Sequence, residues 1–312
     1  MPTPLVLFGP QRLQPILRPE LERLDLDGPV AAITAGWQER EGENDELADH
    51  LDREVIDLRL HGRAEEVFAE DPELFRAHRE RQDKLQALQA FYRYRLDFAL
   101  EPARELMRRG SDEPELLDFQ RASTIDAIKR LDKEHLDRAA EIHEEYQRRW
   151  RPTRRPAVVA HREALEEILG RCALVAIAGG HVAVLLNRLR LFGFGELLRH
   201  RPVFAWSAGA MALAERVVLF HDAPPQGAGN PEVLDTGLGL YRGLVPLPHA
   251  RARLRLSDPV RVALFARRFE PDMCVPLDEG MSVRRSRVVW RAGTSARVLT
   301  RDGDVAPMES SS

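Results

Sequence analysis

Phe204-Ala-Trp-Ser-Ala-Gly-Ala-Met211 carries a short apolar run, Val203 to Trp206, into small residues and then into a helix-like stretch from Ala208 to Glu215. A strand that turns this abruptly into a helix is the repeating unit of a parallel α/β sheet. The turn is tight, so its flanking positions must be small, and Ala205 and Gly209 are. Ser207 stands at the turn, where its hydroxyl is raised above the strand end. The positive end of the following helix and the amide of Ala208 then face any negative charge that develops beside it. A serine here also serves as an ordinary helix N-cap, so the turn alone does not settle its use.

Working outward, Ala178-Gly179-Gly180-His181 has the same layout, between an apolar run from Ala173 to Ala178 and a helix predicted from Val182. Paired glycines allow close backbone approach and leave amides exposed, which makes Gly180 the candidate for a second oxyanion donor. Leu5 to Phe8, Val30 to Thr34 and Val55 to Leu60 are further apolar runs without strict alternation, as expected of strands covered on both faces. Val217 to Phe220, Val275 to Leu277 and Arg287 to Trp290 continue the strand pattern. The expected fold class is therefore α/β, a doubly wound and mainly parallel sheet.

Between about 65 and 155 the character changes: Arg, Glu and Asp dominate, and no strand is legible. Ile125, Ile128, Leu131, Leu136, Ala139, Ile142 and Tyr146 recur at helical spacing, and Leu85, Leu88, Phe91, Tyr92, Leu96 and Phe98 form a candidate facing stripe. Arg109-Gly-Ser-Asp-Glu-Pro114 combines a helix-stopping glycine, N-cap side chains and a first-turn proline. The expectation is a long inserted α-helical hairpin at 65–155, with Pro102 kinking or splitting its first arm. Residues 1–64 and 156–305 then make one α/β domain. His135, Glu141, His143, Glu144 and Glu145 crowd the second arm without a paired Glu-x-x-His pattern and read as a solvated helix face rather than a metal site.

A 312-residue chain that is 44% hydrophobic and 31% charged can bury a full core, and a net charge of −4 favours no nucleic acid partner. Cys172 and Cys274 lie far apart in apolar runs, which fits core thiols and a cytoplasmic setting rather than a disulfide framework. No stretch approaches the roughly 18 apolar residues of a membrane helix, and no basic segment precedes the apolar run near Met1, so neither a membrane anchor nor an export signal is expected. Gly193 and Gly195 lack the preceding strand of a dinucleotide site. No cofactor and no metal is called for.

A serine hydroxyl is a poor nucleophile at neutral pH unless a base and an orienting acid attend it. His249, held in Pro246-Leu-Pro-His-Ala-Arg251, follows an apolar run and is the candidate base. Asp222, in Phe220-His-Asp-Ala-Pro-Pro225, follows a strand end and is the candidate acid. His221 beside it is the weaker choice of base, since sequence neighbours point apart.

With these residues in place the chain resembles the dipeptidase E and cyanophycinase family of serine peptidases. Ala205-Trp-Ser-Ala-Gly-Ala210 is similar to that family's nucleophile motif, His221-Asp-Ala-Pro224 to the dipeptidase segment holding its acid, and Pro248-His249 to its histidine segment. Gly237-Leu-Gly-Leu240, Arg251-Ala-Arg-Leu-Arg255 and Leu277-Asp-Glu-Gly280 are closer to cyanophycinases. The resemblance spans about 170 to 285. It implies a class I glutamine amidotransferase-like fold and a Ser207-His249-Asp222 triad, with Gly180 and Ala208 as oxyanion donors. It also implies cleavage beside aspartyl residues. Three departures accompany it: His181 stands where asparagine is usual, Pro225 stands where cyanophycinases carry their glutamate, and the 65–155 insertion is foreign to the family. His181, Arg251 and Arg253 are the nominated substrate contacts.

The expected function is a serine peptidase or amidohydrolase acting on small aspartyl or isoaspartyl peptides, with room for a homodimer. The alternative is an interaction protein whose helical hairpin binds a partner while the hydrolase site is weak or unused. The hairpin's expected roles are to roof the site, limit substrate length or build a dimer.

Overall fold

In the computed structural model the described residues are 3–221 and 230–309. Seven strands form the main sheet, in the order Val289–Ala292, Ser282–Ser286, Leu5–Phe8, Val203–Trp206, Leu174–Ile177, Val30–Ile33 and Val55–Asp57. The five from Leu5–Phe8 to Val55–Asp57 run parallel, and Ser282–Ser286 and Val289–Ala292 close one edge as an antiparallel hairpin. The fold is thus α/β with a mostly parallel mixed sheet, as the apolar runs predict.

Alternation explains why those runs look continuous. Leu5, Leu7, Ala31, Ile33, Val175, Ile177, Val203 and Ala205 face one core, while Val6, Phe8, Val30, Ala32, Leu174, Ala176, Phe204 and Trp206 face another. Helices cover both faces, so each strand is apolar on both sides. Leu60–Glu70, Pro156–Arg171, Val182–Leu191 and Ala208–Leu213 supply the first cover, and Leu17–Arg23 and Asp45–Leu51 the second. The Val55 run is a strand only as far as Asp57, because Leu60 already opens a helix. The run read from Arg287 instead pairs as Val289–Ala292, after a turn with Arg287 at φ 57°.

Two helices of 37 residues each, Pro72–Arg108 and Pro114–Trp150, form the long hairpin. Pro102 lies inside the first helix without dividing it. A proline frees the carbonyl four residues earlier, here that of Phe98, and both residues are exposed to water that can satisfy it. The inward stripe of this helix is Tyr92, Leu96, Leu100 and Ala103, whereas Phe91 and Phe98 of the predicted stripe are 73% and 62% exposed. A third core joins the hairpin to the helix Pro259–Phe269 and the strands Arg216–Leu219, Glu232–Thr236 and Leu244–Pro248.

Polar groups decide how the hairpin sits. Arg268, fully buried, donates to both carboxylate oxygens of Asp132 at 2.7 Å and to the hydroxyl of Tyr92 at 2.9 Å, and Tyr92 donates to Asp132 at 2.7 Å. The histidines of the second helix are not on a solvated face. His135 stacks on Tyr92 at 4.2 Å, and His143 lies 2.8 Å from Asp235. Sequence periodicity misplaces them because it counts them as polar, while each is drawn inward by a buried acceptor.

Candidate functional site

Ser207 is the residue between the strand Val203–Trp206 and the helix Ala208–Leu213, with φ 51° and ψ −124°. A side-chain-bearing residue is rarely found there, and such strain persists only where the surroundings impose it. They do so by contact. A Cβ on Gly209 would come within 2.3 Å of the Ile177 carbonyl oxygen, and one on Gly179 within 2.7 Å of the Ser207 Cβ. The helix therefore packs directly on the neighbouring strand, and Ser207 fills the space that Gly179 leaves open. Its hydroxyl makes no cap hydrogen bond to the helix. Ser207 occupies the N-cap position without doing an N-cap's work.

The adjoining turn brings Gly180 to φ +107°, a conformation suited to glycine, against the backbone of Gly36. Ala208 opens its helix, so its amide has no intrahelical partner. The amides of Gly180 and Ala208 thus belong to two adjacent strand ends at the carboxyl edge of the parallel strands.

His249 arrives from a separate pair of parallel strands, Leu244–Pro248 and Met273–Leu277. Its amide donates to the Leu277 carbonyl at 3.1 Å, its φ is 57°, and its Nε2 stands 3.4 Å from Ser207 Oγ. Two residues 42 positions apart thus meet, both on left-handed backbone. Burial pushes the His249 imidazole below its ordinary pKa and Arg253 adds to the effect, while Asp278 and Glu279 pull the other way. The net lowering leaves the ring neutral near pH 7, the form that accepts a proton.

Asp222 lies outside the described residues. The acid seen beside His249 is Asp278, 6% exposed, directly after the strand Met273–Leu277. It accepts from the amide of Arg251 at 3.0 Å and so braces the turn that carries His249. Sequence reasoning assigned it no role. Its signal is a carboxylate immediately after a buried strand, which gains meaning only once that strand is known to pair with the one leading to His249.

The site opens into a cleft of about 550 Å³. Trp37, Gly179, Gly180, Ser207, His249 and Arg253 line it together with residues near Pro10 and Glu43. Arg253 is half-buried, and burial lowers its pKa, with no counter-charge among the described residues acting against it. Arg251 is directed elsewhere, toward Asp278 at 3.7 Å. His181 is not among the lining residues; its Nδ1 accepts from the Val184 amide at 3.3 Å and caps the helix Val182–Leu191. None of the lining residues comes from the helical hairpin, so the expected roof over the site is not formed by it. Among the described residues no helix is long and apolar enough to cross a membrane.

No family model matches the chain, and no curated protein matches it. Among solved structures, the crystal structure of a peptidase from an acI-B1 Actinobacterium is similar, at 15% sequence identity and a TM-score of 0.47, over 99% of this chain and 98% of that one.

Proposed function

We propose that the chain is a serine-type amide hydrolase acting on small peptides that carry a carboxylate near the scissile bond. The observation behind this reading is the 3.4 Å approach of Ser207 Oγ to His249 Nε2, with Ser207 on strained backbone and its hydroxyl unused as a cap. A structural serine needs neither feature.

In this mechanism the Ser207 hydroxyl oxygen attacks the amide carbonyl carbon while His249 Nε2 takes its proton. The amides of Gly180 and Ala208 receive the oxyanion. His249 then returns the proton to the leaving amine, and water, deprotonated by the same ring, releases the acyl group. Asp222 is the proposed orienting acid, and Asp278 is a positioning residue that holds the His249 turn. Arg253 offers its guanidinium to a substrate carboxylate, which favours aspartyl or isoaspartyl peptides. In this reading residues 65–155 are an insertion that leaves the chemistry to residues 1–64 and 156–305.

A fluorophosphonate probe tests the reading. Labelling of the folded protein at Ser207, abolished in Ser207→Ala, together with hydrolysis of aspartyl dipeptides in preference to glycyl ones, is the expected result. Folded protein that neither labels nor turns over any aspartyl or isoaspartyl dipeptide would refute it and leave the hairpin's binding role as the better account.

A further inference from the structure

We propose that the outward face of the helix Pro72–Arg108 pairs antiparallel with the same face of a second copy of this chain. Phe91, Tyr94 and Phe98 are 73%, 68% and 62% exposed, and Tyr94 and Phe98 pack edge to face at 5.1 Å. Such a stripe is costly to leave in water, and contiguous apolar surface of this kind marks an interaction site. It lies opposite the stripe Tyr92, Leu96, Leu100 and Ala103 that binds the body, so the body does not obstruct it.

The spacing and the charges identify the occupant. Lys84, Ala87, Phe91, Tyr94, Phe98 and Glu101 are all exposed and follow one another at intervals of three, four, three, four and three, the seam of a two-helix coiled coil. It spans 18 residues of one unbroken helix, roughly 27 Å at 1.5 Å per residue. In a two-fold antiparallel pair each layer joins residues whose numbers share one sum, and a single register serves every layer. Phe91 meets the partner's Tyr94, Ala87 meets the partner's Phe98, and Lys84 meets the partner's Glu101. Small therefore faces large, and cation faces anion at both ends. A parallel pair would instead set Lys84 on the partner's Lys84 and Glu101 on the partner's Glu101. Among the described residues Lys84 is held only by an exposed pair with Glu145 at 3.5 Å, a weak tie that an interface pair can replace. One layer further out, where Glu80 meets the partner's Glu105, the latter charge is balanced by Arg109 at 3.0 Å. An isologous contact of this type closes on itself and stops at two copies.

Sedimentation equilibrium on the full chain tests the proposal. The wild type is expected to be a dimer. Phe91→Glu is expected to be a monomer with an unchanged far-UV circular dichroism spectrum, since the side chain is exposed. Lys84→Glu should weaken the dimer about tenfold, and Lys84→Glu combined with Glu101→Lys should restore it. That recovery separates pairing from misfolding, because a folding defect from the first change would not be repaired by the second. A monomeric wild type overturns the proposal and leaves the stripe to a different protein, as does a dimer that neither Phe91→Glu nor the single charge reversal weakens.

Discussion

Gly179 and Ser207 share one space: a Cβ on the glycine would stand 2.7 Å from the serine Cβ and 3.4 Å from its hydroxyl oxygen. The hydroxyl is thus placed by the absence of a side chain on the neighbouring strand end as much as by its own turn. Gly179→Ala should displace Ser207 and lower kcat/KM by about 10²-fold, the scale of a misplacement near 1 Å, and should lower the thermal midpoint as well, because the Ser207 Cβ it meets is fixed to the turn's backbone and cannot swing aside. Steady-state kinetics and a melting curve on the same sample check this. Full activity in that variant would mean the serine's placement does not matter.

The acid assignment can be decided by two variants. Asp222→Asn should reduce kcat about 10⁴-fold if that residue orients the His249 ring. Asp278→Asn should have a much smaller effect, since its amide oxygen still accepts from the Arg251 amide, whereas Asp278→Ala, which removes that acceptor, should cost more, because Asp278 acts through the Arg251 amide rather than on the reacting atoms. The reverse order of severity would move the orienting role to Asp278.

The acid limb of the pH profile carries a sign. Burial and Arg253 hold the His249 pKa below the ordinary histidine value, so the neutral ring persists to lower pH and kcat/KM should fall only below about pH 6.5. Arg253→Gln removes a cation that disfavours the imidazolium, so the limb should move to higher pH. Because Arg253 also faces the cleft, KM for an aspartyl substrate should rise in the same variant. A limb that stays in place would show that Arg253 does not act on the ring.

Asp132 neutralises Arg268 where the hairpin meets the body. Asp132→Ala strands a buried guanidinium and should cost about 3 to 5 kcal/mol of stability. Denaturant titration measures the loss. A cost below about 1 kcal/mol, the range of exposed pairs, would mean that water reaches Arg268.

His78 accepts from Arg81 at 3.1 Å, and burial, with Arg81 and Arg188, pushes its pKa down to about 3. The unfolded chain binds this proton near pH 6.5 and the folded chain only near pH 3, so acidification across that window favours unfolding. His78→Gln keeps an acceptor and does not titrate. The fall in thermal midpoint between pH 7 and pH 4 should be shallower in it than in the wild type, and equal slopes would contradict the burial of this ring.

Local chemistry was enough to read the five parallel strands of the main sheet, the βα turns and the hairpin, because apolar runs, paired glycines and caps act over a few residues, whereas the polar edge strand Ser282–Ser286 and the strand Glu232–Thr236 carried no such run. Val203 to Trp206 is the clearest case, since its predicted and observed bounds coincide. The same signals isolated Ser207 and His249 as candidates. Which face a helix turns inward was beyond them: the periodicity of Pro72–Arg108 fits both a stripe through Phe91 and one through Leu96, and only the buried partners Asp132 and Arg268 choose between the two. Nor could spacing along the chain bring His249 to Ser207. That meeting depends on the pairing of Leu244–Pro248 with Met273–Leu277, which also carries Asp278 to the same turn. Contacts between residues distant along the chain form only when whole elements pack, and burial and electrostatic partners at that stage select among the arrangements that local preference allows.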